Sequence, residues 1–292
     1  MISIVIPALN EQDAIAATVV SIRETLERAD LLPFEIIVVD DGSSDSTGRL
    51  AIESGAKVIR HPHNVGYGRS LKDGIRAAQY DTIVISDADG TYPIDVIPQL
   101  VAEYRKGFDM VVGARTGKHY RESLIKMPLR NLLKAIVEFT ATRKIPDINS
   151  GLRVFGRGTA MSYFGHLCDT FSFTTSLTLS YMMNGHFVSY IQIDYKERSG
   201  RTKVRLFRDS MRTTQYIIEA ATYYNPLKIF TLFSFICIFL AGISLVCALV
   251  FQLASLFALG VGAILLSVLM LGLGLIAVLL KQIMDGGAQP RN

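Results

Sequence analysis

Two aspartates placed one residue apart are the first candidates for chemistry in this 292-residue chain. Asp87 and Asp89 lie in the segment S-D-A-D-G-T-Y-P (86–93), directly after the apolar run Thr82–Ile85. Side chains at positions i and i+2 of an extended segment point the same way, and open α/β sheets bind ligands at the carboxyl ends of their strands. Two carboxylates on one side suit Mg²⁺ or Mn²⁺, which also takes oxygens from a substrate diphosphate. Alone, the pattern is also typical of a solvated turn.

Two further polar motifs follow predicted strands. They are P-A-L-N-E at Pro7–Glu11 and V-V-D-D-G-S-S-D-S-T at Val38–Thr47. A carboxylate from Asp40 or Asp41 at a strand end can accept hydrogen bonds from a base N–H group or from ribose hydroxyls. The segment N-V-G-Y-G (64–68) precedes a predicted helix, and its two glycines are weak evidence for a ligand site on their own.

These motifs need a scaffold, and the first 115 residues alternate strand and helix signals. The apolar, β-branched runs predict strands at Ile2–Ile6, Phe34–Val39, Ala56–Arg60, Thr82–Ile85 and Met110–Gly113. Helical spacing predicts helices at Glu11–Ala29, Asp45–Ser54, Arg69–Gln79 and Pro93–Lys106, with Ser44 or Asp45 capping the second. This rhythm predicts an α/β fold with a mostly parallel sheet and helices on both faces.

The second section of the chain is strongly basic. Residues 115–212 contain 17 Lys and Arg against 7 Asp and Glu. Lys126, Arg130 and Lys134 recur every four residues and therefore share one helix face, and 204–224 forms a second basic amphipathic stretch. Beside a membrane segment, such helices are predicted to lie at the interface, with ordinary surface helices as the alternative. The charge indicates anionic lipid or a phosphorylated substrate, and no nucleic acid is expected.

The C-terminal part indicates membrane insertion. Ile229–Leu280 contains 52 consecutive uncharged residues between Lys228 and Lys281. One span needs about 20 residues, so we expect two membrane helices joined by the short link Gln252–Ser255. The basic flanks predict both ends in the cytoplasm, and small-residue runs within the helices would permit a homo-oligomer. The first residues, Met1–Ala8, lack the basic region of a signal peptide.

Taken in order, these motifs resemble those of family 2 glycosyltransferases with the GT-A fold. The resemblance is to the polyprenyl-phosphate glycosyltransferases, such as dolichol-phosphate mannose synthase and bacterial O-antigen glucosyl-lipid synthases. Beside the motifs above, it rests on G-A-R (113–115), D-I-N-S-G-L-R-V-F (147–155), F-S-F-T-T (171–175) and K-E-R-S-G-R-T-K (196–203). The match extends over essentially the whole chain.

The resemblance implies a role for each matching residue. Asp87 and Asp89 would hold the metal and the diphosphate. Arg115 would be the third catalytic residue. The nucleotide would be held by Pro7, Ala8, Asn10, Glu11, Asp40 and Asp41. The acceptor and its phosphate would be bound by Arg130, Ser150, Arg153, Arg198 and Lys203. Relatives often have Gln where this chain has Thr91, so no third metal ligand is expected from that position.

The implied reaction is the inverting, metal-dependent transfer of a sugar from a UDP- or GDP-sugar to a membrane polyprenyl phosphate. The acceptor is already anionic, so it needs cations more than a general base. We expect an integral protein of the cytoplasmic membrane whose catalytic domain (1–203) faces the cytoplasm. An interfacial helix (204–226), two spans (227–281) and a cytosolic tail (282–292) would follow. The alternatives are a polysaccharide-extending transferase, which usually carries Q-x-x-R-W whereas this chain lacks Trp, and an inactive membrane scaffold.

Overall fold

The computed structural model describes residues 1–116, 143–195 and 225–287, together with the single positions 135, 138, 139, 215, 218 and 222. The chain divides into two units, Met1–Ile217 and Ile218–Asn292. Both predicted interfacial helices lie largely outside the described residues and stay predictions.

The first unit is built on a seven-stranded sheet with the order β3-β2-β1-β4-β6-β5-β7. The strands are β1 (Ile2–Ala8), β2 (Phe34–Asp40), β3 (Lys57–Arg60), β4 (Thr82–Ile85), β5 (Met110–Thr116), β6 (Arg153–Gly156) and β7 (Val188–Asp194). Among the described strands, β6 alone runs against its neighbours, pairing antiparallel with β4 and β5, and the other pairs are parallel. The predicted mostly parallel sheet is therefore confirmed.

Helices cover both faces of this sheet. They are α1 (Ile15–Arg28), α2 (Thr47–Glu53), α3 (Tyr67–Ala77), α4 (Ile97–Tyr104), α5 (Arg157–Ser162) and α6 (Phe173–Met183). One buried cluster joins α1 and α4 to the face that carries Ile4 and Ile6, and the other joins α3 and α6 to the face that carries Val5. Because both faces are covered, the central strands are apolar at nearly every position.

The start of α1 differs from the sequence prediction. The helix begins at Ile15 rather than at Glu11. Asn10 adopts a left-handed φ of +48°, and the Glu11 amide donates to the Thr47 hydroxyl at 2.8 Å instead of entering a helix. The loop after β1 is thus tied to the loop after β2, which delays the helix by one turn.

The antiparallel direction of β6 has a consequence for the site. Its first residue, Arg153, lies at the sheet edge where the parallel strands have their carboxyl ends. The preceding loop, 145–152, therefore joins the loops that follow β1, β2 and β4, next to the end of β5. Ligands of open α/β sheets bind at this edge.

The second unit contains two long apolar helices, α7 (Pro226–Phe251) and α8 (Ala254–Gly287). By length and composition, each can cross a membrane, and only Gln252 and Leu253 separate them. They pack together as the expected hairpin, with the Ser234 and Ser267 hydroxyls 2.7 Å apart. Most of their large apolar side chains face outward. An apolar surface of this extent is typical of contact with lipid or protein rather than with water.

Candidate active site

Several of the predicted acidic and basic residues that the structure describes lie at one edge of the sheet. Asp40 ends β2, Asp87 and Asp89 follow β4, and Arg115 is the penultimate residue of β5. Asn10 and Glu11 follow β1 in the same way. The sequence prediction that these motifs meet at the carboxyl ends of parallel strands agrees with the strand pairing.

Asp87 is held between an aromatic hydroxyl and a glycine. The Tyr67 hydroxyl donates to Asp87 Oδ1 at 2.9 Å. A Cβ atom at Gly151 would lie 2.7 Å from both Asp87 carboxylate oxygens, so a larger residue there would displace the carboxylate from this position. Burial, reinforced by the negative charge of Asp87, raises the pKa of Tyr67 well above its usual value. The phenol therefore stays protonated and remains a donor.

Asp89 is oriented by its neighbour two residues along the chain. The Thr91 hydroxyl donates to Asp89 Oδ1 at 2.6 Å, and the Thr91 amide donates to the same oxygen at 3.1 Å. Thr91 is fully buried and Asp89 is 7% exposed. Thr91 stands where relatives often have Gln. Its two hydrogen bonds orient the Asp89 carboxylate.

The donor set fits a hard divalent cation. Among the residues that the structure describes, no group of three or more His, Cys, Asp or Glu side chains is placed to hold a metal. Asp87 and Asp89 supply two carboxylates at the end of β4, which leaves coordination positions for substrate phosphates and water. Mg²⁺ is commonly bound in this way, by one or two carboxylates together with phosphate oxygens.

Arg115 is fixed by a carboxylate that the sequence analysis did not single out. Its Nε atom donates to Asp147 Oδ2 at 2.7 Å, and its Nη2 atom donates to Oδ1 at 3.0 Å. The guanidinium also lies over the Tyr195 ring, 5.4 Å from the centroid. Burial raises the pKa of Asp147, but the hydrogen bonds and charge of Arg115 outweigh it and lower the pKa below its ordinary value. The pair is thus ionised at neutral pH.

Arg153 and Ser150, both predicted to lie on the acceptor side, form hydrogen bonds within the protein. Both are fully buried. Arg153 Nε donates to the Ser150 carbonyl at 2.7 Å, and Nη2 donates to the Ile148 carbonyl at 2.8 Å. The Ser150 hydroxyl donates to the Gly113 carbonyl. These side chains support the 145–152 loop through their hydrogen bonds, and a role of either in acceptor binding stays a prediction.

The predicted nucleotide-binding carboxylates are engaged by donors of the chain itself. Asp41 accepts hydrogen bonds from the Val65 and Gly66 amides and contacts His61 Nδ1 at 2.8 Å. Asp40 is fully buried and accepts the Ser43 amide at 2.9 Å. Both carboxylates organise the surrounding loops, and contact of either with a nucleotide stays a prediction.

The remaining predicted residues divide into two groups. Pro7 and Ala8 are buried within β1, while Asn10 is exposed and Glu11 is partly exposed at the loop that follows. The Asn10 side-chain oxygen accepts the Ser44 amide at 2.8 Å, which joins this loop to the one after β2. The second group lies outside the described residues and consists of Arg130, Arg198 and Lys203.

Solved structures share this architecture. Glucosyl-3-phosphoglycerate synthase from Mycobacterium tuberculosis, in complex with Mn²⁺, UDP and glucosyl-3-phosphoglycerate, aligns with a TM-score of 0.63 at 24% sequence identity. The alignment covers 76% of this chain and 80% of that chain. At this level of identity the similarity establishes the fold.

Sequence comparison identifies relatives and the family. The chain is 27% identical over 220 residues to a dolichyl-phosphate hexose transferase of Haloferax volcanii, covering 75% of this chain and 92% of the relative. It is 29% identical over 164 residues to an undecaprenyl-phosphate 4-deoxy-4-formamido-L-arabinose transferase of Salmonella paratyphi B, covering 53% of this chain but only 49% of that relative. The profile of glycosyl transferase family 2 matches residues 3–164, more than half of the chain. The protein is therefore a member of glycosyl transferase family 2.

Proposed function

We propose that this glycosyltransferase transfers a sugar, with inversion, from a nucleotide-diphosphate sugar to a polyprenyl phosphate. The observation that carries the proposal is the pair Asp87 and Asp89 at the end of β4, on the edge that also holds Arg115. The two apolar helices α7 and α8 add a means of reaching a lipid acceptor. Relatives named for transfer to dolichyl and undecaprenyl phosphate support the choice of acceptor.

Asp87 and Asp89 would hold Mg²⁺ or Mn²⁺ through their carboxylate oxygens. When bound, the cation would supply positive charge that offsets the charge developing on the leaving diphosphate. Thr91 keeps the Asp89 carboxylate oriented. Arg115, held in place by Asp147, would add guanidinium contacts to a phosphate group. The residues would thus bind and orient the leaving group before reaction.

The acceptor side needs charge neutralisation rather than a strong base. A phosphate monoester is anionic at neutral pH, so its oxygen can attack the anomeric carbon without first losing a proton to the protein. Two phosphorylated substrates repel each other, and the excess of 17 Lys and Arg over 7 Asp and Glu in 115–212 would offset this repulsion. We assign acceptor binding to Arg130, Arg198 and Lys203.

The donor is assigned to the loops after β1 and β2. Asn10 and Glu11 lie at the rim of this edge, and the backbone that Asp40 and Asp41 organise would line the nucleotide. The complex of the mycobacterial synthase with Mn²⁺ and UDP supports a uridine nucleotide as the first candidate, with a guanosine nucleotide as the second.

The hairpin is proposed to anchor the protein in the cytoplasmic membrane, with the catalytic domain in the cytoplasm. Lys228 and Lys281 flank the apolar run at the same end of the hairpin, as the positive-inside rule requires. The proposed organisation is a catalytic domain at 1–203, an interfacial segment at 204–226, two spans at 227–281 and a tail at 282–292. Self-association through the helices stays a prediction.

A panel of radiolabelled nucleotide sugars tests the proposal. Purified full-length protein in detergent is incubated with each donor and with polyprenyl phosphate, polyprenol or 3-phosphoglycerate as acceptor. We expect one donor to give an organic-extractable product with polyprenyl phosphate alone. Transfer to 3-phosphoglycerate or to polyprenol in place of the lipid phosphate would contradict the proposed acceptor.

A further inference from the structure

We infer that Tyr67 is a positioning residue that orients the Asp87 carboxylate for metal binding. The inference rests on the proposed function, in which Asp87 and Asp89 hold the cation. Its starting point is the contact of the Tyr67 hydroxyl with Asp87 Oδ1 at 2.9 Å, made across 20 residues of sequence. A donor to one carboxylate oxygen restricts rotation of the group and sets the direction of the other oxygen.

The Tyr67 ring is itself fixed on one side by Phe171. The two rings stack with centroids 5.6 Å apart and an interplanar angle of 19°. Phe171 is 48% exposed, so the Phe171 side of the stack faces solvent while the Tyr67 side is more buried. Removing the hydroxyl alone would therefore leave the ring's packing in place.

The backbone beneath Tyr67 is clamped to the 167–170 segment. The Arg69 amide donates to the Asp169 carbonyl at 3.1 Å. The buried Lys72 Nζ atom donates to the Leu167 carbonyl and to Asp169 Oδ1, the latter at 2.6 Å. Gly68 packs so closely against the Cys168 carbonyl that a Cβ atom would clash with it. The first turn of α3 therefore has a fixed position relative to this segment.

The residues just before Tyr67 are also held by Asp41, which directly follows β2. Asp41 accepts the Val65 and Gly66 amides, immediately before Tyr67, at 2.9 and 3.0 Å. Gly66 has a φ of +114°, a conformation that favours glycine. The N-V-G-Y-G segment is thus shaped by contacts within the protein, and its glycines serve the placement of Tyr67.

Groups that orient metal-ligating side chains typically change metal affinity or activity by 10- to 100-fold when they are removed. For Tyr67→Phe we expect the dissociation constant for Mn²⁺ to rise about tenfold. Tighter Mn²⁺ binding would have a different physical cause. If the phenol mainly withdrew charge from Asp87, its removal would leave a more basic carboxylate and tighter Mn²⁺ binding, and that result would overturn the inference.

The test measures free Mn²⁺ by electron paramagnetic resonance during titration of the full-length protein in detergent with UDP or GDP present. Tyr163→Phe is the matched control, because it removes a tyrosine hydroxyl that contacts His186 rather than Asp87. We expect weaker Mn²⁺ binding in Tyr67→Phe and wild-type binding in Tyr163→Phe. Asp89→Asn reports on the metal site itself.

The outcomes separate the inference from the proposed function. Loss of Mn²⁺ binding in Asp89→Asn with an unchanged constant in Tyr67→Phe overturns the inference alone. Equal binding by wild type and Asp89→Asn overturns the metal assignment and the inference with it. A structure of the wild type with Mn²⁺ and UDP provides a measurement independent of variant folding: a Tyr67 hydroxyl more than 3.5 Å from Asp87 would also overturn it.

Discussion

The acidic side chains of the site are each matched to a donor from nearby structure. Asp87 receives the Tyr67 hydroxyl, Asp89 receives the Thr91 hydroxyl, and Asp147 receives the Arg115 guanidinium. Such contacts hold charged groups in one geometry before substrate arrives, which is the condition for precise ligand and metal binding. Arg153 extends the same principle beneath the site, where it binds the carbonyls of Ile148 and Ser150.

Replacement of Arg153 tests its structural role. Arg153→Met would leave buried carbonyl groups without their donors, and each such group costs about 1–3 kcal/mol. We expect the free energy of unfolding to fall by about 3 kcal/mol. Urea unfolding followed by tyrosine near-ultraviolet circular dichroism is suitable, because the chain has 12 Tyr and no Trp. Arg49→Met is the control: Arg49 pairs with Glu53 at the surface, and we expect a change within about 0.5 kcal/mol. Similar losses in both variants would refute the role.

The Arg115–Asp147 pair makes the stability of the fold depend on pH in a predictable direction. The folded state lowers the pKa of Asp147, so the pair contributes stability above the unfolded pKa of about 3.9 and loses it as pH falls through the folded value. Asp147→Asn should therefore destabilise the protein by about 2 kcal/mol at pH 5.5–7.5. The difference in the free energy of unfolding between Asp147→Asn and wild type should shrink below about pH 4. A difference that grew on acidification would contradict the assignment.

At the scale of elements, the strand and helix pattern before Arg115 could be predicted from the sequence. Buried parallel strands require apolar runs, and the four- and seven-residue strands that result stand out between polar loops. The antiparallel β6 was not predicted, because R-V-F-G is short and its direction depends on pairing with β4 and β5. The roles of Tyr67 and Asp147 were missed for a related reason. Their contacts span 20 and 32 residues, which a local pattern does not encode.

The first turn of α3 offers a direct test of a packing requirement. Alanine has a higher helix propensity than glycine by about 1 kcal/mol, but a Cβ at Gly68 would meet the backbone of Cys168–Thr170. Backbone atoms move aside less easily than a side chain does. We therefore expect Gly68→Ala to lower the free energy of unfolding by about 2 kcal/mol. Gly165 has no atom near an added Cβ among the described residues, so Gly165→Ala should be neutral. Equal thermal stability of the two variants would contradict the close packing of Gly68 against the backbone of Cys168–Thr170.

The whole molecule combines a family 2 glycosyltransferase unit with two apolar helices. The sequence was sufficient to predict the GT-A sheet and the two apolar helices, because alternating strand and helix signals and a run of 52 uncharged residues each have a clear signature. It was less informative for the loops at the sheet edge. There, Arg153 and Asp41 form hydrogen bonds within the protein that the sequence did not reveal, and their contact with a ligand stays a prediction.

The orientation of the hairpin is tested by labelling single cysteines. Cys168, Cys237 and Cys247 are first replaced, and a cysteine is then placed at Gln252, between α7 and α8, or at Arg28 on the exposed surface of α1. In sealed right-side-out vesicles, an impermeant maleimide should label the Gln252→Cys variant, whereas the Arg28→Cys variant should react only in inverted vesicles. The reverse pattern would place the catalytic unit on the other side of the membrane.

Metal-dependent transfer to a lipid phosphate is the central claim, and one measurement tests it most directly. The initial rate of polyprenyl-phosphate sugar formation is compared for purified wild type and Asp89→Asn, each with Mn²⁺ and with EDTA. We predict that EDTA abolishes the wild-type rate, and that Asp89→Asn with Mn²⁺ retains about 1% of it or less, since removing such electrostatic stabilisation typically costs about 10²-fold or more. Wild-type rates from Asp89→Asn, or transfer that persists in EDTA, would contradict the account.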